Sequence, residues 1–477
     1  MPTTMPNDQE RQRMIRSHLK QQEDDAGGKD KLPPEKLVVK GRAEREPVYR
    51  LALQELAFNK ANGRIKAEVL EKEAELGRDL APSSPEDQKI IKEILLSIRP
   101  DENTKIRDDL KKNGQMHPGI ITCDGIVVNG NRRKALLEEL CDETGDEQFK
   151  YLDIQVLPSD ITKAELWLIE AGIQMSTPQQ LDYSPINHLL KLREGYESGL
   201  RIEDMAARIY GVSEDNITVD LERLKLIDEY LDEFLKKPNR YYLVKQLNEH
   251  FIDLQDILNW ASRPRGNVQL NWQWDKSDIN ELKLIAFYYI RIRFPHLRIR
   301  GLRDLFPTRQ SWQEVKQAAT LDVDVNVEER SQLGLEPASL KETTDEELDD
   351  TPDPDTFSTC TEKEDFREET LWKEVHEETL KSFYEDAKEQ EQIVKDSVRP
   401  LALAQRALRN VEAIPADPKK LSEPEIDDVL RNIITVTNDL RKIIQKPKSK
   451  KHALRNRTDS TSRKGTKHRR RSRKGKT

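Results

Sequence analysis

The run at residues 113–137, NGQMHPGIITCDGIVVNGNRRKALL, constrains the fold more than any other part of the chain. Ile120 and Ile121 make a short apolar run, Asp124-Gly125 supplies two residues that tolerate positive φ, and Ile126-Val127-Val128 returns as a second strand. Asn129-Gly130 then breaks the chain again. Beyond it Ala135, Leu136 and Leu140 recur at helical spacing, so the order reads strand, turn, strand, turn, helix. Arg132 and Arg133 therefore open a helix directly after a glycine that lets the backbone approach a ligand closely.

That placement suits an anion. A helix start offers unpaired N–H groups and a partial positive charge. Arg132 and Arg133 add planar, permanently charged forks that match phosphate oxygens. Arginines at a helix start oppose the helix dipole, so a pair of them calls for a reason. A plainer reading stays open, in which an Asn-Gly turn leads into a surface helix carrying two solvated arginines.

The succession of a helix, Gly114-Gln115-x-x-Pro118, a strand, Asp124-Gly125, a strand, Gly130-Asn131-Arg132-Arg133 and a helix resembles the N-terminal domain of the ParB/sulfiredoxin-like superfamily. Residues 51–64, ending Asn59-Lys60-Ala61-Asn62-Gly63-Arg64, look like that family's opening strand and Asn-x-Arg turn. The resemblance implies an α+β chain: a small mixed-sheet domain, then mostly helical domains, with disordered termini. In ParB proteins the Gly-x-Arg-Arg box binds the triphosphate of CTP, and other branches use the fold for ATP-dependent chemistry or nucleic-acid cleavage. The implied nucleotide site is Gln115, His117, Gly130, Asn131, Arg132 and Arg133, taking CTP or ATP with Mg2+. A Glu-Asn-x-x-Arg box that helps hold Mg2+ in ParB proteins falls near Glu170-Ala171-Gly172-Ile173-Gln174, where only the glutamate matches, and Glu170 is the implied metal ligand. Many ParB proteins carry Glu where Asn131 stands. Asparagine bonds a phosphate or a water but cannot act as a general base, so binding without turnover is served at least as well as catalysis.

Composition narrows the class. Hydrophobic and charged residues each make up 35% of the 477, and the mean hydropathy is −0.82. A chain this polar is expected to be mostly helical, with stretches that build no core. No apolar run approaches bilayer-spanning length, which argues against a membrane partner, and the first residues are polar rather than signal-like. Cys123, Cys141 and Cys360 lack metal-site spacing, which fits a reduced, cytoplasmic setting. The net charge of −8 conceals an asymmetry. Residues 446–477 hold 15 Lys and Arg against one Asp, which leaves about −22 on the remainder. An acidic body with a basic tail fits a protein that touches nucleic acid through its end.

Taken in order, residues 1–46 read as disordered and 47–158 as the ParB/sulfiredoxin-like domain. A first strand falls at 48–58, helices at 65–80, from about 86 (capped by Ser83 or Ser84) and at 101–112, and a last strand at 150–157. The 65–100 segment is an insertion relative to the family pattern. Residues 159–236 read as a helix-turn-helix-like segment. Ile202, Met205, Ala206 and Ile209 form one apolar face, Tyr210-Gly211-Val212 the turn, and Ser213 the cap of a helix carrying Ile217, Leu221 and Leu224. Its DNA-facing candidates are Ser213, Asn216, Thr218 and Arg223; the alternative is a hairpin that merely packs on the core. A helical extension follows at 237–320, with Trp260, Trp272 and Trp274 as anchors. Its Arg291, Arg293, Arg298, Arg300 and Arg303 line either a nucleic-acid groove or a solvated helix end. Residues 321–365 form an acidic linker, 366–445 a helical bundle or self-association module, and 446–477 a basic tail whose Arg469, Arg470 and Arg471 grip phosphates without sequence preference.

The function expected from these parts is a DNA-associated, nucleotide-binding, ParB-like protein of a bacterial plasmid, phage or nucleoid setting, acting as a regulator or a partition- or defence-type factor, with a homodimer possible. Two alternatives stay open: a metal-dependent NTPase or nuclease using the same pocket, and an interaction scaffold whose pocket is idle.

Overall fold

The structure, a computed structural model, describes residues 8–24, 32–39, 41–176, 183–263, 272–323, 360–397, 400–412 and 424–445. Met1–Lys395 and Asp396–Thr477 form separate compact units. The first is an α+β unit in which a small mixed sheet near the N-terminus precedes a body of helices.

Five strands, β3 (Tyr49–Ala52), β4 (Ala57–Phe58), β5 (Gly119–Ile121), β6 (Ile126–Asn129) and β7 (Tyr151–Val156), make the sheet in the order β3-β7-β5-β6-β4. β5 and β6 are the hairpin that Asp124-Gly125 signals, Gly125 sitting at φ 83°. β7 runs parallel to β5 and antiparallel to β3. Alternation along β5 and β6 sends Ile121 and Val127 to one face and Ile120 and Val128 to the other. Both faces are covered. The expected single strand at 48–58 is two, because the turn Leu53–Glu55 buries Leu53 and carries the chain to the opposite edge.

The stretch expected to lack order, 1–46, instead holds a helix, α1 (Asp8–Asp24), and a separate hairpin, β1 (Glu35–Val39) with β2 (Arg42–Glu46). Ile15 of α1 is 1% exposed and fills the space above Gly125, where an added Cβ would lie 2.5 Å from its Cδ1. Arg11, wholly buried, donates from Nε to the Asp124 carbonyl and pairs with Asp8 at 2.7 Å. The polar composition hid this helix, since only Ile15 and Leu19 face the sheet core.

On that same face lie α3 (Pro85–Ser97), α4 (Pro100–Asn113) and α5 (Asn131–Thr144), burying Leu110, Leu136, Leu137 and Leu140 with Leu152 and Ile154. Ser84 caps α3, its hydroxyl accepting from the Asp87 N–H at 3.2 Å. The insertion has a structural role: α2 (Lys66–Leu76) joins sheet domain to helical body, with Ala67 in the large helical core and Val69 against Phe58 and Ile65.

Next come α6 (Lys163–Gln174), α7 (Pro185–Glu197), the short α8 (Ile202–Ala206) and α9 (Glu214–Glu229). They share a core of Trp167, Ala171, Leu192, Met205, Ile209 and Ile217. The body continues with α10 (Asn248–Ser262), α11 (Lys276–Arg291), α12 (His296–Leu305) and α13 (Arg309–Lys316). Trp260, Trp272 and Trp274 stack there on one another and on Phe306, as anchors should.

Two expectations are corrected here. The helix α14 (Cys360–Ser397) does not group with residues up to 445; its Trp372, Leu380, Tyr384 and Ala387 complete the core of α10–α12. Hydrogen bonds fix it, from Tyr289 Oη to the Leu380 carbonyl at 3.1 Å and from Tyr384 Oη to the Arg298 carbonyl at 2.9 Å. In the basic cluster Arg291 is buried, while Arg293, Arg298, Arg300 and Arg303 are exposed, which fits the solvated helix end of the two readings. Arg291 pairs with Glu369 at 2.7 Å and lies 4.1 Å from the Trp372 ring centre, Arg298 pairs with Glu385, Arg300 bonds Asp253 at 2.9 Å, and Arg303 covers Trp260. Of the acidic linker expected at 321–365, residues 360–365 instead begin α14, with Asp365 buried, and 324–359 lie outside the described residues.

In the second unit, α15 (Pro400–Glu412) and α16 (Pro424–Gln445) expose Leu408, Val429, Ile434, Val436 and Leu440. No helix among the described residues is long and apolar enough to cross a membrane.

If α1 belongs to the folded domain, Ile15→Ala lowers stability by about 2–4 kcal/mol in urea unfolding; a change near zero means the helix is detached. A second measurement concerns pH. Glu71 of α2 has a side chain 14% exposed with Oε1 unpartnered. Burial pushes its carboxyl up to about 8, against the pull of Lys245 3.7 Å away. The folded state then holds a proton that the unfolded chain releases above its ordinary 4.5, so this group's contribution to stability falls as pH rises from about 4.5 to 8. Glu71→Gln removes that fall, read as a wild-type-minus-variant difference in urea midpoint between about pH 5 and pH 8.5.

Candidate functional site

Where β6 hands over to α5, a cavity of about 270 Å3 opens. Arg64, Arg132 and Arg133 line it together with Asn62, Glu102 and Gly130. Each cation arrives from a different local cause. Gly130 at φ 110° takes the N-cap position, a conformation that side-chain-bearing residues avoid, and α5 begins with no side-chain cap. Arg132 and Arg133 follow in the first turn, where N–H groups point out past the helix end.

Arg64 comes from the Asn-Gly-Arg turn. Asn59 Oδ1 accepts from the Ala61 N–H at 2.9 Å and Asn62 Oδ1 from the Arg64 N–H at 3.0 Å, so the asparagines shape the turn by bonding to their own backbone. The Gly63 N–H donates to Glu170 Oε1 at 3.2 Å, and the Asn59 N–H to Asn131 Oδ1 at 2.9 Å. Arg64 Nε is buried without a hydrogen-bond partner.

The electrostatics are those of cations crowded out of water. Burial lowers the pKa of Arg64, of Arg132 and of Arg133 from the usual guanidinium value. Arg64 and Arg99 push Arg132 down further, while Glu102, 3.4 Å away, opposes them. Asp153 and Glu35 oppose the shift at Arg133. All three groups remain charged at neutral pH, and an anion between Arg64 and Arg132 relieves the repulsion of that pair.

The sequence-derived candidates divide. Gly130, Asn131, Arg132 and Arg133 meet at the cavity, but Asn131 is 1% exposed and its amide is committed to the Asn59 N–H and the Val127 carbonyl. It is a staple between turn and helix. Gln115 braces β7, donating to the Asp153 carbonyl at 2.6 Å and accepting from the Asp153 N–H at 3.0 Å. His117 is exposed and lines a second cavity, of about 580 Å3, with Glu35, Pro118 and Ile169; only its carbonyl, which accepts from Arg133, ties it to the first. Glu170 is buried with Oε2 on Lys191 Nζ at 2.6 Å and Oε1 on Gly63. Both its oxygens are taken, and among the described residues no group of three His, Cys, Asp or Glu has metal-holding geometry.

The helix-turn-helix candidates are likewise spent locally. Ser213 and Asn216 form a reciprocal cap on α9, Thr218 donates to the Glu214 carbonyl at 3.1 Å, and Arg223 pairs with Asp220 at 2.7 Å. The exposed face of α9 carries Glu214, Asp215 and Glu222. Arg469, Arg470 and Arg471 lie outside the described residues.

Sequence reasoning missed Glu102 and did not count Arg64 into the site, although the Asn62-Gly63-Arg64 turn was legible. No family model matches the chain, and none of the curated proteins is significantly similar to it.

The buried pair beneath the turn gives a measurable consequence. Burial alone would lower the pKa of Lys191, yet Glu170 and Glu194 raise it, so it stays protonated. Lys191→Met leaves Glu170 buried and unpaired, and is expected to cost about 3–5 kcal/mol in chemical denaturation. The double variant with Glu170→Gln recovers part of that loss.

Proposed function

We propose that this chain is a ParB/sulfiredoxin-like, DNA-associated protein that binds the phosphates of a nucleotide, CTP or ATP, in the Arg64–Arg132–Arg133 cavity. The observation that carries the reading is the convergence of three partly desolvated guanidinium groups on one concavity, beside an uncapped helix start. A volume of about 270 Å3 falls below that of pockets enclosing a whole drug-sized ligand, roughly 300 Å3 and upward. It suits a phosphate chain, with sugar and base at the mouth. Mg2+ would enter with the triphosphate rather than on Glu170.

Binding without turnover is the favoured form. Asn131 cannot serve as a base, and the single carboxylate lining the cavity, Glu102, is engaged with Arg99 and Arg132. Contact with DNA falls to the tail at 446–477, since the exposed face of α9 is acidic. A second copy is the natural cover for α16, where Ile426, Leu430, Ile433, Thr437, Leu440 and Ile444 recur at alternating steps of four and three. A cytoplasmic, nucleoid-associated protein of plasmid, phage or chromosome maintenance fits these parts.

Thermal melting of the full chain with CTP, ATP, GTP or UTP and Mg2+, with and without DNA, tests the reading. The cognate nucleotide at a hundredfold excess over Kd stabilises by about 2.7 kcal/mol, seen as a rise in Tm. Arg132→Ala with Arg133→Ala abolishes that rise and leaves the apo protein folded, because charges at a cavity wall contribute little to stability. Absence of any shift from all four nucleotides sinks the proposal.

A further inference from the structure

The one acidic side chain of the cavity is placed to interact with what enters it. Glu102 stands in the first turn of α4 with Oε1 3.0 Å from Arg99 Nη1 and Oε2 3.4 Å from Arg132 Nη1. The contact to Arg99 is by itself local, between the N-cap residue of α4 and a residue three further on. The contact to Arg132 is not local: it reaches across to α5 and lies on the cavity wall. Arg99 holds φ 56° as the N-cap of α4, a left-handed backbone that a long side chain seldom adopts. The two partners differ in freedom. The Glu102 side chain is 43% exposed and the Arg132 side chain 12%, so the carboxylate has room to leave and the guanidinium does not.

We propose that Glu102 is a resident counter-anion of the cavity, occupying the place of a ligand phosphate group and setting which anions gain entry. The inference rests on the reading of this cavity as a phosphate site. With the cavity empty, the carboxylate offsets part of the charge of Arg132 and Arg99. An entering anion takes over Arg132, and Glu102 turns out to solvent to escape like-charge repulsion. Inorganic phosphate then exchanges one small anion for another and gains little. Pyrophosphate or a longer chain spans Arg132 together with Arg64 and Arg133, and gains contacts that Glu102 never made. Glu102 thus sets an affinity threshold that every entering anion must meet, and oligophosphates pass it with contacts that a single phosphate lacks.

Titration calorimetry of the full chain without divalent cations tests this, using inorganic phosphate and inorganic pyrophosphate against wild type, Glu102→Gln, Glu102→Ala and Arg132→Ala. Both Glu102 variants are expected to bind phosphate about tenfold more tightly than wild type, the scale of one partly exposed ion pair plus the relieved repulsion. Their affinity for pyrophosphate rises by a similar factor, and Arg132→Ala loses binding of both. Binding by the Glu102 variants alone, with wild type silent, supports the proposal as well. Unchanged or weaker binding in both Glu102 variants, while Arg132→Ala still abolishes it, overturns the counter-anion and leaves the phosphate site standing. Weakening seen only when Mg2+ is added overturns it too, and assigns the carboxylate to the cation. Silence from all four proteins overturns site and counter-anion together.

Discussion

The buried carboxylate of Glu170 is the contact on which the arrangement of the cavity depends. It joins three parts of the chain: α6, which carries it, α7, which supplies Lys191, and the Asn-Gly-Arg turn, whose Gly63 N–H it accepts. Taking two charges out of water is costly, and their attraction repays it only when the remaining hydrogen-bonding capacity is also met. Here Glu194 gives Lys191 a second partner at 3.0 Å and Gly63 gives Glu170 one. The turn is thereby held from below while Asn131 holds it from the side, and Arg64 has little latitude in where it points. Rigidity of that turn means that the ordering cost of Arg64 is met at folding rather than at the proposed binding of an anion.

The cavity itself is arranged against the interest of the empty fold. Three guanidinium groups lose hydration, Arg64 and Arg132 repel each other, and one buried Nε goes unbonded. Local conflict of this kind concentrates where function demands it. The neighbouring core shows the opposite economy. Lys134, one residue along α5, is also buried, yet it meets Glu138 and the face of Phe58 at 3.8 Å. Two adjacent cations on one helix thus serve different ends, because the helical turn directs Arg133 to the cavity and Lys134 to the packed side.

That contrast also marks how much was legible in the sequence. The hairpin, the glycine-started helix and the paired arginines follow from turn chemistry and periodicity, both local, and each is found where the pattern puts it. What sequence could not show is which polar side chains are already committed. Asn131, Gln115 and Glu170 read as ligands by type and position, but each bonds a backbone group from a distant segment or a buried lysine, and such pairing is decided by tertiary approach. The same holds for Arg291 and Arg298, whose partners Glu369 and Glu385 sit on α14, some 80 residues further on. α1 escaped because only two of its residues face the core, too few to register as a period.

The charge of the whole chain bears on approach rather than on the cavity. The sequence outside the basic tail, near −22, repels a triphosphate at long range, while the tail at 446–477, near +14, attracts one. At physiological ionic strength that repulsion fades over about 8 Å. Inside the cavity, where water is thinned, the nearest groups decide, and they are Arg64, Arg132 and Arg133 with Arg99, against Glu102 and, beside Arg133, Asp153 and Glu35. Selectivity must therefore come from short-range geometry and from the balance of those few charges. In such a setting Glu102, 3.4 Å from Arg132, weighs more than any charge beyond the screening length.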